Sequence, residues 1–357
     1  MSLAKPSQWI IKFTALYKQV KILDPFPPCS FLATAIYPIA EILNLRSLPL
    51  HIHEVVLALF FYTFLNFFAS SAISSFLFPN IYPNLPRQTK ISWNIHFVSL
   101  IQSIITCALA LCVRYLESQR WSLEWRGRLW GYTGAGSMVQ AFSAGYFLWD
   151  LGVSIVHFDI LGWSSLLHAI CALAVVFESD QPCVHRMSKE LIQFQQRPFT
   201  NYYGLNFVLY ELSTPFLNIH WFCDKLNITG ARIQLYNGIV LIITFFSSRL
   251  VWGTYPFINL YIDIWTAFQG PTLSKEDAET LFALLLHKEP EISQLFQFVP
   301  FSQEAFSLPI WLARVNLGTN VILIWLNCYW FGKMIGTVLK RFKEPGMGGK
   351  RTDVKVD

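Results

Sequence analysis

Seven stretches of the chain are apolar over roughly the 20 residues that a helix needs to cross a bilayer. They are about Glu54–Phe78, Trp93–Leu116, Met138–Phe158, Ile160–Phe177, Tyr203–Phe222, Ile233–Trp252 and Trp311–Trp330. Pro79, Pro83 and Pro86 close the first. Almost nothing separates the third from the fourth, so these two form a tight antiparallel hairpin. An earlier apolar run, Ser30–Ala40, is too short to span and is expected at the interface. The pattern predicts an all-α, polytopic transmembrane bundle of about seven spans.

The polar residues inside these runs are not scattered. On a helix, positions 211, 214, 215, 218 and 222 share one face, so Glu211, Thr214, Pro215 and Asn218 form a stripe along the fifth span. Pro215 has no N–H for the carbonyl of Glu211, four residues back, and a kink is expected there. Tyr146, Asp150, Val153 and His157 share a face of the third span, and Ser164, His168 and Cys171 one of the fourth. Ser99, Gln102, Ser103 and Thr106 cluster in the second. Asn237 and Arg249 stand in the sixth, and Arg314, Asn316, Asn320 and Asn327 in the seventh. Polar groups in lipid are costly and face the interior, where they find partners or serve a function. Asp150, His168 and Glu211 lie nearest mid-membrane, and a chamber lined by them is the economical arrangement. Arg249 cannot shed its charge. It reaches a lipid phosphate if it lies at a span end, and otherwise pairs with Asp150.

Composition supports this picture. The mean hydropathy of the 357 residues is +0.40. Only 14% are charged, against about 25% in an ordinary soluble domain. Such a chain cannot cover itself with polar surface in water. The net charge of +5 is modest, but seven Lys and Arg residues fall between Lys333 and the C-terminus. That basic tail, residues 341–357 at its core, suits the anionic cytosolic leaflet. No soluble basic domain exists to bind nucleic acid. The seven cysteines show no CxxC or Cys/His spacing, so neither a disulfide framework nor a metal site is expected. No phosphate-binding Gly loop, GxSxG or HExxH occurs, and no cofactor is expected.

Residues 1–53 are read as an N-terminal interfacial segment. Trp9, Phe13, Leu16 and Val20 recur at helical spacing, and Lys12 and Lys18 break the apolar core that a signal peptide requires. Residues 54–340 form the membrane domain. Its longest interruption, 270–309, carries a helix start at Ser274 and Asp277 followed by Leu281, Phe282, Leu284 and Leu285, an amphipathic insertion.

Four segments carry a resemblance: GYFLWDL (Gly145–Leu151), LLHAICAL (Leu166–Leu173), YELSTPFLNIHWF (Tyr210–Phe222) and RLVWGTY (Arg249–Tyr255). Together, over roughly Glu54 to Lys340, they resemble the TLC-domain family of membrane proteins, which includes ceramide synthases. The ELSTPFLN segment resembles its small members, and NIHWFCDKLNITG looks fungal. Ceramide synthases carry a His-His pair in one span and HDxSD in the next. Here the first His corresponds to His168 and the second position is Ala169. The HD step falls on Tyr210 and Glu211, the Ser on Ser213, and the final Asp on Thr214. One His and one carboxylate are kept, and one of each is lost.

The resemblance implies endoplasmic reticulum or related endomembranes and a membrane lipid as partner. The residues expected to hold it are Asp150, His168, Glu211, Ser213, Thr214, Asn218 and Arg249. Lipid binding in lipid homeostasis ranks first. The alternative is a ceramide-synthase-like acyltransferase using acyl-CoA and a sphingoid base. There His168 would be the base, Glu211 would orient it, and Asn218 or Thr214 would donate to the oxyanion. A transporter or channel is a third reading, without the paired broken helices that would favour it. Positive charge near the span ends orients the C-terminus to the cytosol and the N-terminus to the lumen. The sequon at Asn227 then faces the cytosol.

Overall fold

The computed structural model describes Phe26, Leu123 and residues 28–43, 48–117, 125–130, 133–178, 200–269 and 310–343. The N-terminal amphipathic helix, the 270–309 insertion and the tail beyond Lys343 lie outside the described residues. Among those described, every regular element is helical. In chain order they are α1 (Ser30–Leu43), α2 (Leu48–Phe64), α3 (Ser70–Leu77), α4 (Arg87–Leu116), α5 (Trp125–Trp130), α6 (Gly134–Val156), α7 (Phe158–Glu178), α8 (Asn201–Val208), α9 (Thr214–Lys225), α10 (Arg232–Phe245), α11 (Trp252–Gln269) and α12 (Ile310–Lys343).

Six of the resulting rods are long and apolar enough to cross a membrane: 48–77, 87–116, 134–156, 158–175, 232–269 and 313–338. The first joins α2 to α3 through a π-helical turn, Leu65–Ala69. It begins at Leu48, six residues before the expected domain boundary, so His51 and Glu54 lie inside it. Both are buried, and His51 Nδ1 lies 2.8 Å from Glu54 Oε2.

The fifth expected span, Tyr203–Phe222, is not one helix. α8 gives way to a 3₁₀ turn, Leu209–Ser213, and α9 begins with Pro215 in its first turn. Proline is tolerated there because no N–H is needed. The Glu211 carbonyl that Pro215 cannot serve takes the Thr214 N–H instead. The expected kink is therefore a tightened turn. The segment still runs from one end of the bundle to the other. The end of α4 meets the start of α6, where Thr133 Oγ1 donates to Glu117 Oε2 at 3.2 Å. Asn201 bonds Ser137 at that end, whereas Asn218 meets His96 near the opposite end of α4.

The sixth expected span extends far past Trp252. α10 and α11 are joined by a second π turn, Phe246–Val251, into a 38-residue rod. At 1.5 Å per residue it is about 57 Å long, so Arg249 sits near its middle and not at a membrane surface. The α6–α7 hairpin is as tight as expected. Only His157 separates the helices, and Phe147 stacks edge-on to His168 across it at 6.3 Å.

The main apolar core lies where α2 crosses α6, with Val55, Ala58 and Tyr62 against Ala141, Ala144 and Tyr146. Gly145 makes the close approach possible. A Cβ there would stand 2.5 Å from the Val55 carbonyl oxygen and 2.6 Å from Ala58 Cβ. Large apolar side chains elsewhere face outward, among them Phe60, Phe67 and Phe76 on the first rod at 66–84% exposure. That is the expected distribution when the solvent is lipid.

Candidate functional site

Both irregular turns face the same place. In the 3₁₀ turn and the start of α9, Glu211, Ser213, Thr214 and Asn218 are all buried, while Leu212, Leu217 and Ile219 point outward. The polar stripe read from helical phase is thus the inward face. In the π turn, consecutive Ser248 and Arg249 are both buried. The wider turn shifts the helical phase and aims both inward.

Arg249 is the hub. Its Nη2 donates to Glu211 Oε1 at 3.2 Å and to Thr214 Oγ1 at 3.0 Å. Its Nε donates to Ser213 Oγ at 3.1 Å, and its Nη1 to Asn327 Oδ1 of α12 at 3.2 Å. Four of the five guanidinium N–H groups are thereby committed, and the cation also lies 5.2 Å from the centre of the Phe245 ring. Three elements distant in sequence are tied at one atom group. Arg249 therefore does not pair with Asp150, and its depth removes the snorkelling alternative. Reading the sixth span as ending at Trp252 hid that depth.

Asp150 and His168 lie beside this hub without joining it. Asp150, His168, Tyr146 and Cys107 all lie within electrostatic range of the Glu211 carboxyl group. Asp150 is half-buried and forms no hydrogen bond with another described residue. His168 Nδ1 is buried with no hydrogen-bond partner, and its ring is held edge-on by Phe147 and by Trp330 at 5.4 Å. Glu211 thus pairs with Arg249 instead of orienting His168. Thr214 and Asn218, the expected oxyanion donors, are likewise engaged.

Asn218 belongs to a neighbouring chain of contacts. Its Oδ1 accepts from His96 Nδ1 at 2.7 Å, and its Nδ2 donates to Ser99 Oγ at 3.2 Å. Ser99 lies within hydrogen-bonding reach of Tyr146. His96 stacks on Trp221 at 4.2 Å, with the Lys225 ammonium 5.4 Å over the same indole. His96 went unnoticed in the sequence, although it lies one turn before Ser99 on the face already marked as polar. Elsewhere on that face of α4, Gln102 Nε2 donates to Thr106 Oγ1 and Ser103 Oγ to a carbonyl of its own helix, while Gln102 Oε1 is buried without a hydrogen-bond partner among the described residues.

A second ion pair, its aspartate buried and its arginine partly exposed, closes the opposite end. Arg128 Nε and Nη2 grip Asp263 Oδ2 and Oδ1 at 2.6 and 2.5 Å, and the Tyr203 hydroxyl donates to Asp263 Oδ2 at 2.5 Å. The hydrogen bonds to Asp263 raise the Arg128 pKa above an arginine's ordinary value, against the effect of burial. Asp263 lies past Trp252, where the apolar run of the sixth span ends in the sequence, and only the continuation of the rod through α11 brings it into the bundle. Among the described residues, no three His, Cys, Asp or Glu side chains converge as metal ligands.

Fold and hub together define a polytopic α-helical membrane protein in which Arg249 and Glu211 meet within the bundle. The chain belongs to the TLC domain family, whose pattern it matches over residues 92–336. A TLC domain-containing protein of Schizosaccharomyces pombe is 35% identical over 228 residues, 64% of this chain and 70% of the relative. Topoisomerase I damage affected protein 4 of Saccharomyces cerevisiae is 25% identical over 316 residues, 84% of this chain and 88% of the relative. TLC domain-containing protein 4 of Homo sapiens is 26% identical over 215 residues, 56% of this chain and 74% of the relative. All four segments singled out in the sequence fall inside the matched region.

Proposed function

We propose that this protein binds a membrane lipid at the mid-membrane cluster and acts in lipid homeostasis in the endoplasmic reticulum or a related endomembrane. One observation carries the reading. The Arg249–Glu211 hub is closed upon itself, whereas Asp150 and His168 beside it have hydrogen-bonding capacity left over. Polar groups in a bilayer without partners are costly and are kept for a function. A lipid headgroup with both donor and acceptor atoms would serve them. Family membership supports a lipid role by analogy alone.

The test is mass spectrometry of lipids that co-purify with the full chain, compared with Asp150→Asn and His168→Ala. Both variants leave the hub intact. A specific lipid that is retained by the parent and lost from both variants is the expected result. Identical lipid profiles in all three proteins would sink the proposal.

The acyltransferase reading rests on the same free imidazole nitrogen, which could act as a base. It lacks a carboxylate bonded to that imidazole, since Glu211 is turned to Arg249.

A further inference from the structure

The lipid must reach His168, and the bundle is not equally closed on all sides. One end is sealed by side chains. Arg128, Asp263 and Tyr203 lock α5, α8 and α11 together, and Gln140 bonds the Asn201 carbonyl at 3.0 Å. The first rod is packed on α6 across Gly145. The seam between α7 and α12 differs along its length. Toward the sealed end it is shut by Cys171, Val175 and Leu323, all buried. Beyond His168 it changes character. Trp163 of α7 meets Trp325 and Tyr329 of α12, each at 6.1 Å, and Trp325 stacks on Tyr329 at 5.9 Å. Trp163 and Trp325 are about half exposed. His168 itself is only partly covered.

The backbone is broken at this place. Gly162, the residue before Trp163, has φ +74° and ψ 177° inside α7. A side chain rarely adopts that conformation, and no neighbour would crowd one. The glycine is therefore there for the backbone, which sets the first turn of α7 off from the rest of the helix. One turn past Trp330, Lys333 places its ammonium 4.8 Å over the Tyr329 ring. Lys333 lies within the last turns of its span, where a long side chain reaches the phosphate layer.

We infer that the α7–α12 seam is the lateral mouth of the site, and that it takes a phosphate-bearing lipid. The phosphate sits at Lys333, an acyl chain lies along Trp163 and Trp325, and His168 bonds the polar linkage inside. This inference rests on the proposed lipid role and adds the entry side and the headgroup class. The arrangement has charge complementarity at one end, stacked rings for a chain along its length, and an unpartnered nitrogen at its inner edge.

The experiment uses the full chain in phosphatidylcholine nanodiscs carrying a trace of phosphatidylglycerol with a photoreactive acyl chain, and maps the labelled residues. Label concentrated on Trp163, Trp325 and their neighbours is expected, with Phe60, Phe67 and Phe76 as the measure of general lipid contact. Lys333→Ala should lower the seam label several-fold and leave the phenylalanine face unchanged. Trp325→Ala should lower it too, so the result does not depend on one variant folding. Label spread evenly over both faces would overturn the inference, as would a seam label indifferent to both substitutions. The two proposals fail separately. Specific lipid retention without seam labelling removes the mouth and leaves the lipid role. If no lipid profile depends on Asp150 or His168, the lipid role falls, whatever the seam labels.

Discussion

Arg249 and Glu211 meet at 3.2 Å across 38 residues of sequence, each presented by a turn that departs from α-helical geometry. Their side chains are 7% and 8% exposed. Removing one member of such a pair leaves the other as an uncompensated buried charge, typically a loss of about 3–5 kcal/mol. Arg249→Ala and Glu211→Ala should therefore each reduce the amount of monodisperse protein and its thermal midpoint. The double variant should be no worse than the poorer single one. Asp150→Ala combined with Arg249→Ala should be worse than either single variant, because those two share no hydrogen bond and neither loss relieves the other. Size-exclusion profiles over a temperature series read all of these. Additive losses for Arg249 and Glu211 would mean that the hub is not a unit.

The Arg128–Asp263 pair is asymmetric. The Asp263 side chain is 2% exposed and that of Arg128 is 29% exposed. Arg128→Ala leaves a buried carboxylate with only Tyr203 to answer it. Asp263→Ala leaves a guanidinium that water can reach. The arginine substitution should thus be the more damaging of the two, and Arg128→Lys should recover only part of the loss because it cannot grip both oxygens. Thermal midpoints in detergent decide the order. A larger loss for Asp263→Ala would contradict the assignment.

Two glycines of α6 should respond oppositely to alanine. Gly145 lies against α2, and overpacking of this kind typically costs about 1–3 kcal/mol. Gly152 has open space around its Cβ position, so alanine there should be neutral or slightly stabilising through helix propensity. Side-by-side melting curves of the two variants make the comparison.

The acyltransferase reading makes its own demand. His168 would have to work without a second imidazole at position 169 and without a carboxylate bonded to it. A missing acid or base group typically costs about 10²–10⁴-fold in rate. Purified protein given a sphingoid base and acyl-CoA should form little ceramide, and His168→Ala should behave like the parent. A clear rate abolished by His168→Ala would make the enzyme the better account.

Orientation can be checked at Asn227. It lies in the exposed turn between α9 and α10, with φ +57°, and Thr229 of its sequon bonds Asp224. The α9 end of the bundle is the one expected to face the cytosol with the C-terminus. Asn227 should carry no glycan, and glycosidase treatment should not change mobility. A glycan at this position would invert the orientation.

Much of this molecule was legible in one dimension because a bilayer imposes a simple rule. Where no water can satisfy the backbone, long apolar runs must be helices, and polar residues within them must turn inward. That rule located the spans, the α6–α7 hairpin and the inward stripe of Glu211, Thr214 and Asn218. Pro215 announced the break in the fifth span from its missing N–H. What sequence could not supply was the rotation of one rod against another. The π turn at Phe246–Val251 has no local signature, yet it sets where Arg249 points. The helix beyond Trp252 is not legible as part of the sixth span because Pro256 and Asp263 interrupt its apolar pattern. The choice of Glu211 over Asp150 for Arg249 depends on distances between three helices far apart in sequence. Only tertiary packing fixes such distances, and through them which ionisable groups are closed upon each other and which keep unused hydrogen-bonding capacity.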